Sequence, residues 1–257
     1  MNICVLGSGS KGNCIYVENR GIAVLIDQGF SHKQVLERLE SRGLDESKIK
    51  AVLLTHEHDD HVRGVGITAR KLDVPVYGTP GSLNARIKLF NGDQKLIPIE
   101  SGISFKIGTM EFLPFSVSHD AVDPVQFCIF AGRKKASVST DLGFVSTLVA
   151  QRLKDSDLVV IEANHDLEML KNGSYPWELK QRIMGKRGHL SNRNAADILF
   201  NLSQSGKSRS VLAHISEENN TSELAEKEVR ELFARFDRRI RTLITASQKE
   251  ATDIIEV

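Results

Sequence analysis

Residues 55–61 read Thr-His-Glu-His-Asp-Asp-His and hold three of the chain's eight histidines, interleaved with carboxylates. Imidazole and carboxylate ligands together suit zinc, manganese or iron better than calcium or magnesium. The spacing lets His56 and His58 serve one ion while Asp60 and His61 serve a second, as in two-metal hydrolytic sites. A solvated polar turn is the alternative interpretation, and three histidines in six positions disfavour it.

A two-metal site needs ligands from other parts of the chain, and three residues occupy suitable positions. His119, Asp141 and His214 each follow an apolar segment that reads as a β-strand. Polar residues are common at such places, so the value of these three lies in their agreement with residues 55–61. In this interpretation Asp141 can bridge two ions, while His119 and His214 each supply one remaining position.

Residues 180–193 form a basic segment in a chain whose formal net charge is only +1. Lys186 and Arg187 lie near its centre, and it contains no acidic residue. Ser191 and Asn192 then open a predicted helix, and a helix N-terminus favours a phosphate. Lys186, Arg187, Ser191 and Asn192 are therefore candidate substrate-binding residues. A solvated loop followed by an ordinary helix cap is the alternative.

His189 lies inside the basic segment and is the candidate for protonating the leaving oxygen. An imidazole can donate a proton near neutral pH. A phosphate-binding or purely structural role is the alternative. Two roles are open for His165: it could lie beside the metals and contact a ligand residue, or it could be structural. For Trp177, base stacking is one interpretation and packing in the core is the favoured one.

The predicted elements that must position these residues are short strands and amphipathic helices in mixed order. Apolar runs bounded by turn residues predict strands at residues 2–6, 14–18, 23–26, 51–54, 74–77, 105–107, 110–115, 126–130, 136–139, 158–162 and 211–214. Helical spacing predicts helices at residues 32–42, 62–72, 81–90 and 191–203, with Ser191 as a cap, and a last helix after Thr221. This order predicts a layered α/β arrangement with sheets at its centre.

The composition excludes several classes of protein. With 257 residues, 40% of them hydrophobic and 26% charged, the chain is typical of a soluble globular protein, here interpreted as one domain over residues 1–257. The balanced charge gives no overall signal for a membrane or a nucleic acid. Three scattered cysteines predict no disulfide framework, and the N-terminus reads as a strand, so a cytoplasmic location is expected.

The sequence resembles the metallo-β-lactamase-fold hydrolases. The matching phrases are Thr-His-Glu-His-Asp-Asp-His at residues 55–61, Ser-His at 118–119, Thr-Asp at 140–141 and Ala-His at 213–214, in this order. The resemblance implies an αββα sandwich, in which two mixed β-sheets pack face to face with helices outside. It also implies two divalent ions. One is held by His56, His58 and His119 and the other by Asp60, His61 and His214, with Asp141 shared.

A narrower resemblance is to the bacterial YycJ or WalJ-like subgroup. Its phrases stand here as Ser-Gly-Ser-Lys-Gly-Asn at residues 8–13, Glu-Ala-Asn-His-Asp at 162–166 and Gly-His-Leu-Ser-Asn at 188–192. One departure is Ala163, where serine is expected. The resemblance implies 5′ exonuclease activity on DNA.

The functional hypothesis is a metal-dependent phosphodiesterase, specifically a 5′-to-3′ DNA exonuclease that uses a hydroxide activated by two metals. Asp60 and His189 are its predicted catalytic residues. DNA is favoured over RNA as the nucleic-acid partner, no membrane partner is expected, and protein partners are left open. Zinc or manganese is expected, with iron as a further option. One alternative is a hydrolase of a small-molecule ester, thioester or cyclic phosphodiester. Another is a metal-binding regulatory protein without turnover.

Overall fold

The structure is a computed structural model that describes residues 1–90, 94–203 and 209–257. The α-helices in these ranges are α1 (His32–Glu40), α2 (Asp59–Val62), α3 (Val65–Leu72), α4 (Pro80–Ala85), α5 (Thr147–Leu153), α6 (Leu167–Asn172), α7 (Trp177–Met184), α8 (Asn192–Leu202) and α9 (Ser222–Arg235). None of these helices is long and apolar enough to cross a bilayer.

The strands of the described residues form two seven-stranded sheets. They are β1 (Asn2–Gly7), β2 (Cys14–Asn19), β3 (Ile22–Ile26), β4 (Ile49–Leu53), β5 (Val76–Gly78), β6 (Leu96–Pro98), β7 (Phe105–Ile107), β8 (Met110–Ser116), β9 (Val125–Ala131), β10 (Lys134–Ser139), β11 (Leu158–Glu162), β12 (Arg209–Ala213), β13 (Thr242–Thr245) and β14 (Ile255–Glu256). The first sheet has the order β14-β1-β2-β3-β4-β5-β6, and β7 to β13 belong to the second. Both sheets contain parallel and antiparallel pairs, as predicted.

The internal contacts of the chain divide it into two compact units. The first comprises Met1–Ser116, Ala121–Lys134 and Ser247–Val257, and the second comprises Val117–Asp120 and Lys135–Ala246. The division does not test whether residues 1–257 form a single domain, which stays a prediction.

In the first unit, β3 and β4 run parallel and end at the same edge of the sheet, with Ile26 beside Leu53. Both strands are apolar and almost wholly buried, as parallel strands usually are. The N–H of Asp27, the residue after β3, donates to the carbonyl of Leu53 at 2.8 Å. The residues that follow the two strands therefore start beside each other.

Gly64 separates α2 from α3, where the sequence predicts one helix over residues 62–72. Its N–H donates to the carbonyl of Gln28 at 3.0 Å, and a Cβ here would lie 1.9 Å from the carbonyl oxygen of Phe30. Only glycine allows this approach of two backbones. Because of the break, α2 is a single turn that carries Asp60 and His61.

In the second unit, β10, β11, β12 and β13 are parallel neighbours in that order. Ser139 lies beside Ile161, and Glu162 lies beside Ala213. Parallel strands present their carboxyl ends at one edge, which is where open α/β sheets carry their ligand-binding residues. Asp141, Glu162 and His214 all lie at this edge.

Candidate metal and catalytic site

The predicted site residues fall into two groups, one in each unit. The first cluster lies in the first unit and consists of Asp27, Thr55, His56, His58, Asp60 and His61. The second cluster lies in the second unit and consists of His119, Asp141, Glu162, His189 and His214. Asp27 and Glu162 belong to these groups by their contacts, and sequence reasoning did not assign them a role.

Asp27 organises the first cluster. One carboxylate oxygen accepts from the backbone N–H of Thr55 at 2.8 Å. The other accepts from the hydroxyl of Thr55 and from Nδ1 of His61, each at 2.8 Å. All these groups are buried, so the bonds hold the imidazole of His61 in one orientation.

The same bonds fix the tautomers of two imidazoles. The hydroxyl of Thr55 gives its hydrogen to Asp27, so it accepts the hydrogen from Nδ1 of His56, 2.9 Å away. Nδ1 of His61 also carries its hydrogen, because a carboxylate can only accept. In the neutral ring, Nε2 of His56 and of His61 is then the unprotonated atom that can bind a metal.

His56 and His58 present two ring nitrogens to each other. Nε2 of His56 lies 3.2 Å from Nδ1 of His58, and the two rings meet edge to face. Two nitrogens this close need a proton or a cation to bring them together. The donor set of the first cluster, three imidazoles and a carboxylate, fits zinc, manganese or iron.

Asn13 positions Asp60 within the first cluster. Its backbone N–H donates to the carbonyl of Asp60 at 2.7 Å, and its side-chain amide donates to the Asp60 carboxylate at 3.1 Å. That carboxylate lies 3.4 Å from Nε2 of His61. Close packing helps, because a Cβ on Gly29 would lie 1.7 Å from the carbonyl oxygen of Asp60. The glycine-rich turn at residues 8–13 therefore supports a predicted ligand.

The other two acidic residues of the motif contact residues from other parts of the first unit. Glu57 accepts from the backbone N–H of Val122 at 2.8 Å. Asp59 is exposed and pairs with Arg86 at 2.8 Å. These contacts agree with the choice of Asp60 as the ligand carboxylate.

Glu162 organises the second cluster and is completely buried. One of its oxygens accepts from Nδ1 of His189 at 2.8 Å and from Nδ1 of His214 at 2.7 Å. Its other oxygen accepts from the N–H groups of Leu142 at 3.2 Å and Leu190 at 3.0 Å. The carboxylate therefore holds two imidazoles at once, each with Nε2 as its second nitrogen.

In the second cluster, Glu162 and His189 each favour the charged form of the other. Burial acts to raise the pKa of Glu162, but the charge and hydrogen bonds of His189 and His214 leave that pKa lowered. Burial likewise acts to lower the pKa of His189, yet the Glu162 carboxylate leaves it raised. The partly exposed His189 and the buried Glu162 thus form a pair that favours a proton on the imidazole.

His119 and Asp141 complete the second cluster. Nδ1 of His119 donates to the carbonyl of Gly188 at 3.2 Å, which leaves Nε2 as the unprotonated nitrogen. Burial lowers the pKa of His119 and so favours the neutral form that a metal requires. The buried Asp141 lies 3.2 Å from Nδ1 of His214. Donor atoms of Asp141, Glu162, His189 and His214 all lie within 4.8 Å of one another.

Three residues of the two clusters have left-handed backbone conformations. The φ angles are 58° for Asp27, 53° for Asp141 and 55° for His214. Each residue follows a parallel strand, so the reversed backbone turns its side chain at the strand end. Non-glycine residues in this region are uncommon and concentrate at functional sites.

The structure engages Ser191 and Asn192 in internal hydrogen bonds. Ser191 caps α8, with Oγ 3.2 Å from the N–H of Asn194, and is buried. The Asn192 amide exchanges hydrogen bonds of 2.8 Å with the Asn220 amide, and its N–H donates to the carbonyl of His165. Direct substrate contact by these two residues stays a prediction that these bonds do not support.

Some cations of the basic segment are engaged within the protein, whereas Lys186 and Arg187 have no carboxylate partner within the described residues. Lys180 donates to the carbonyls of Lys171 and Gly173, Arg182 pairs with Asp120, and Arg193 pairs with Glu228. Lys186 and Arg187 are exposed, and neither pairs with a carboxylate within the described ranges. Of the predicted substrate contacts, these two cations are therefore the best supported.

The structure settles the surroundings of His165 and Trp177. His165 is 1% exposed, its Nδ1 has no hydrogen-bond partner among the described residues, and burial lowers its pKa to about 4. It is an interior residue. Trp177 is 62% exposed, so the expectation that it packs in the core was wrong. As the first residue of α7, it leaves its ring outside the apolar interior.

Comparisons with known proteins agree with this geometry. A family described as β-lactamase superfamily domain matches residues 23–215. Exodeoxyribonuclease YycJ of Bacillus anthracis is 36% identical over 236 residues, which cover 91% of this chain and 89% of that protein. Exodeoxyribonuclease WalJ of Streptococcus pneumoniae is 37% identical over 226 residues, with 86% and 84% covered.

A solved structure with low sequence identity shares the fold of this chain. The crystal structure of the metallo-β-lactamase fold protein YhfI from Bacillus subtilis superposes with a TM-score of 0.75 at 17% identity, covering 98% of each chain. This likeness confirms the predicted fold. The chain is therefore a hydrolase of the metallo-β-lactamase superfamily and belongs to its YycJ and WalJ family.

Proposed function

We propose that the protein is a DNA exonuclease acting in the 5′-to-3′ direction with two divalent metal ions. The observation that carries the proposal is the orientation of the imidazoles by buried carboxylates and carbonyls, in a chain related over most of its length to two exodeoxyribonucleases. That arrangement is typical of metal ligands, whose second ring nitrogen is held by an oxygen.

The proposed ligands are seven residues. His56, His58 and His119 would hold one ion, and Asp60, His61 and His214 would hold the other, with Asp141 shared. The family resemblance implies this division, and the donor chemistry of both clusters suits divalent ions. Zinc or manganese suits these imidazoles and carboxylates, with iron as a further option. When bound, two such ions activate water and neutralise charge on a phosphodiester.

The protein side chains have separate tasks in this proposal. Asp60 and Asp141 supply the negative charge that retains two cations. His189 carries a proton favoured by Glu162 and delivers it to the departing oxygen of the cleaved ester. Lys186 and Arg187, exposed beside the segment that carries His189, attract the phosphate backbone.

The three cysteines support a cytoplasmic location for this reaction. Cys4, Cys14 and Cys128 are buried thiols rather than disulfides. Burial raises the pKa of Cys4 to about 11, so this thiol stays protonated and unreactive. Thiols of this kind suit a reducing compartment.

Metal-loaded protein and 5′- or 3′-end-labelled DNA strands test the proposal. We expect stepwise release of nucleotides from the 5′ end, abolished by chelation and restored by zinc or manganese. RNA of the same sequence and bis(4-nitrophenyl) phosphate are run beside the DNA. Hydrolysis of the small ester without any cleavage of DNA would contradict the proposal and favour a small-molecule phosphodiesterase. Release from the 3′ end would contradict the direction alone.

A further inference from the structure

Phe144 is an aromatic residue that the structure leaves in contact with solvent beside the second cluster. Its side chain is 41% exposed and lies three residues after Asp141, in the segment that leads to α5. Leu148, on the first turn of α5, is 39% exposed. Exposed apolar groups next to a polar site are candidates for contact with a ligand.

Backbone contacts hold this segment against the basic loop. The N–H of Gly143 donates to the carbonyl of Ser118 at 2.9 Å, and the hydroxyl of Ser118 donates to the carbonyl of Lys186 at 2.8 Å. A Cβ on Gly143 would lie 2.3 Å from the carbonyl carbon of Lys186, so the two backbones touch. The residue before Phe144 therefore touches the backbone of the loop that carries Lys186 and Arg187.

The charges around Phe144 favour an anionic ligand. Lys186 and Arg187 are exposed, and Nε of Arg187 donates to the carbonyl of His119 at 3.3 Å. The acidic residues nearest in this network are occupied, because Asp120 pairs with Arg182 and Asp141 is buried. An exposed aromatic ring, on a segment packed against a loop with two exposed cations, has the chemistry of a site for single-stranded nucleic acid, where bases stack and phosphates pair with cations.

Trp177 is the rival platform on this unit, and its position is less favourable. It begins α7, whereas the loop with Lys186 follows the other end of that helix. The helix rises about 1.5 Å per residue, so roughly 10 Å of helix separates the Trp177 backbone from the loop. Within the described residues, Trp177 makes no hydrogen bond or ring contact with the second cluster.

We propose that Phe144 is the stacking platform for the base next to the scissile phosphate, while Lys186 and Arg187 hold the adjoining backbone phosphate. The inference rests on the proposed DNA exonuclease function and gives it a substrate requirement. The strand must enter unpaired, because a base within a duplex has its face covered by its neighbours. Stacking accepts every base, so the cleavage is expected to show little sequence preference.

A double-mutant test uses variants of both the protein and the DNA. Phe144→Ala is expected to lower kcat/KM for single-stranded DNA about 5- to 150-fold, the range that stacking aromatics give. Phe144→Trp is expected to retain activity. A DNA strand lacking the base next to the scissile phosphate should be cleaved poorly by the wild-type enzyme, and Phe144→Ala should cause little further loss on it. Lys186→Ala is expected to reduce the salt dependence of binding by about 0.7 in logarithmic slope.

The controls separate the inference from the function on which it rests. Phe236→Ala removes a ring that is 60% exposed directly after α9 and should leave DNA cleavage unchanged. Equal cleavage by wild type and Phe144→Ala, or a loss confined to Trp177→Ala, would overturn the platform and leave the exonuclease intact. Absence of DNA cleavage by metal-loaded wild type would instead overturn the function, and the platform with it.

Discussion

Each cluster contains a buried carboxylate that accepts hydrogen bonds from imidazole nitrogens, but the histidines that it orients have different proposed roles. In the first cluster, Asp27 acts directly on His61 and, through the hydroxyl of Thr55, on His56. Both imidazoles are proposed ligands. In the second, Glu162 acts directly on His214, a proposed ligand, and on His189, which is not one. In the proposed function, the first cluster therefore serves metal binding alone, whereas the second combines metal binding with proton donation.

This difference gives the two carboxylates unequal consequences. Loss of the Asp27 charge disturbs ligand geometry, which a higher metal concentration can offset. Loss of the Glu162 charge disturbs a ligand and also removes the group that keeps a proton on His189. Variants of the two clusters can separate these effects.

The largest effect is expected from removing a ligand carboxylate in either cluster. Asp60→Ala and Asp141→Ala should each lower DNA cleavage at least about a thousandfold, because several kcal/mol of metal-dependent stabilisation are lost. Activity and metal content are measured together. Asp59→Ala is the matched control, since that carboxylate is exposed and pairs with Arg86. Full activity of Asp60→Ala would remove this residue from the proposed ligands.

The next largest effect separates proton donation from metal binding in the second cluster. His189→Ala should lower kcat for DNA about a hundredfold and leave the metal content unchanged. The loss should nearly vanish for bis(4-nitrophenyl) phosphate, whose leaving group departs without a proton. Equal metal loss in His189→Ala and Asp141→Ala would make His189 a ligand.

Glu162→Gln and Asp27→Asn test the difference between the two buried carboxylates, because each change keeps the shape of the side chain and removes its charge. Each should weaken metal binding about 10- to 100-fold, the usual cost of altering a group behind a ligand. Saturating metal should restore kcat in Asp27→Asn and leave Glu162→Gln impaired. A metal titration followed by activity gives both values. Equal restoration in the two variants would show that the carboxylates act alike.

The last prediction concerns stability rather than catalysis, and the interior histidine of the second unit. The pKa of His165 is about 4 in the folded protein against an ordinary 6.5, so the unfolded chain binds an extra proton between these values. Stability from this group is complete above pH 6.5 and falls as the pH drops to 4, by about 3 kcal/mol. Urea unfolding of metal-free wild type and His165→Gln at pH 7 and pH 4.5 measures the difference. Parallel losses in both proteins would contradict the assignment.

The fold and the proposed ligands followed from local sequence signals. Apolar runs marked the parallel strands, and the histidine-rich motif marked the end of β4. Asp27 and Glu162 were missed, although each stands at the end of an apolar strand, the same signal that identified Asp141. A carboxylate at a strand end does not show, from the sequence alone, whether it binds a metal or orients an imidazole.

Other differences depend on contacts that a sequence does not display. The break at Gly64 arises from the approach of the Phe30 backbone, and α4 ends where Arg86 leaves the helical region and donates to the carbonyl of Glu57. The helix α7 was not predicted, because its charged residues were read as a basic loop. The position of Ser191 and Asn192 at a helix start predicts phosphate binding, but the sequence does not show that both side chains have hydrogen-bond partners inside the protein.

The left-handed backbone at Asp27, Asp141 and His214 has a consequence for directed evolution. Non-glycine residues in such conformations cost of order 1–3 kcal/mol each, and glycine relieves that cost. Selection for heat resistance alone should therefore accumulate glycine at these three positions and yield a more stable but inactive protein. A thermostable enzyme would have to be selected for turnover in every round, because here durability and chemistry make opposite demands on the same residues.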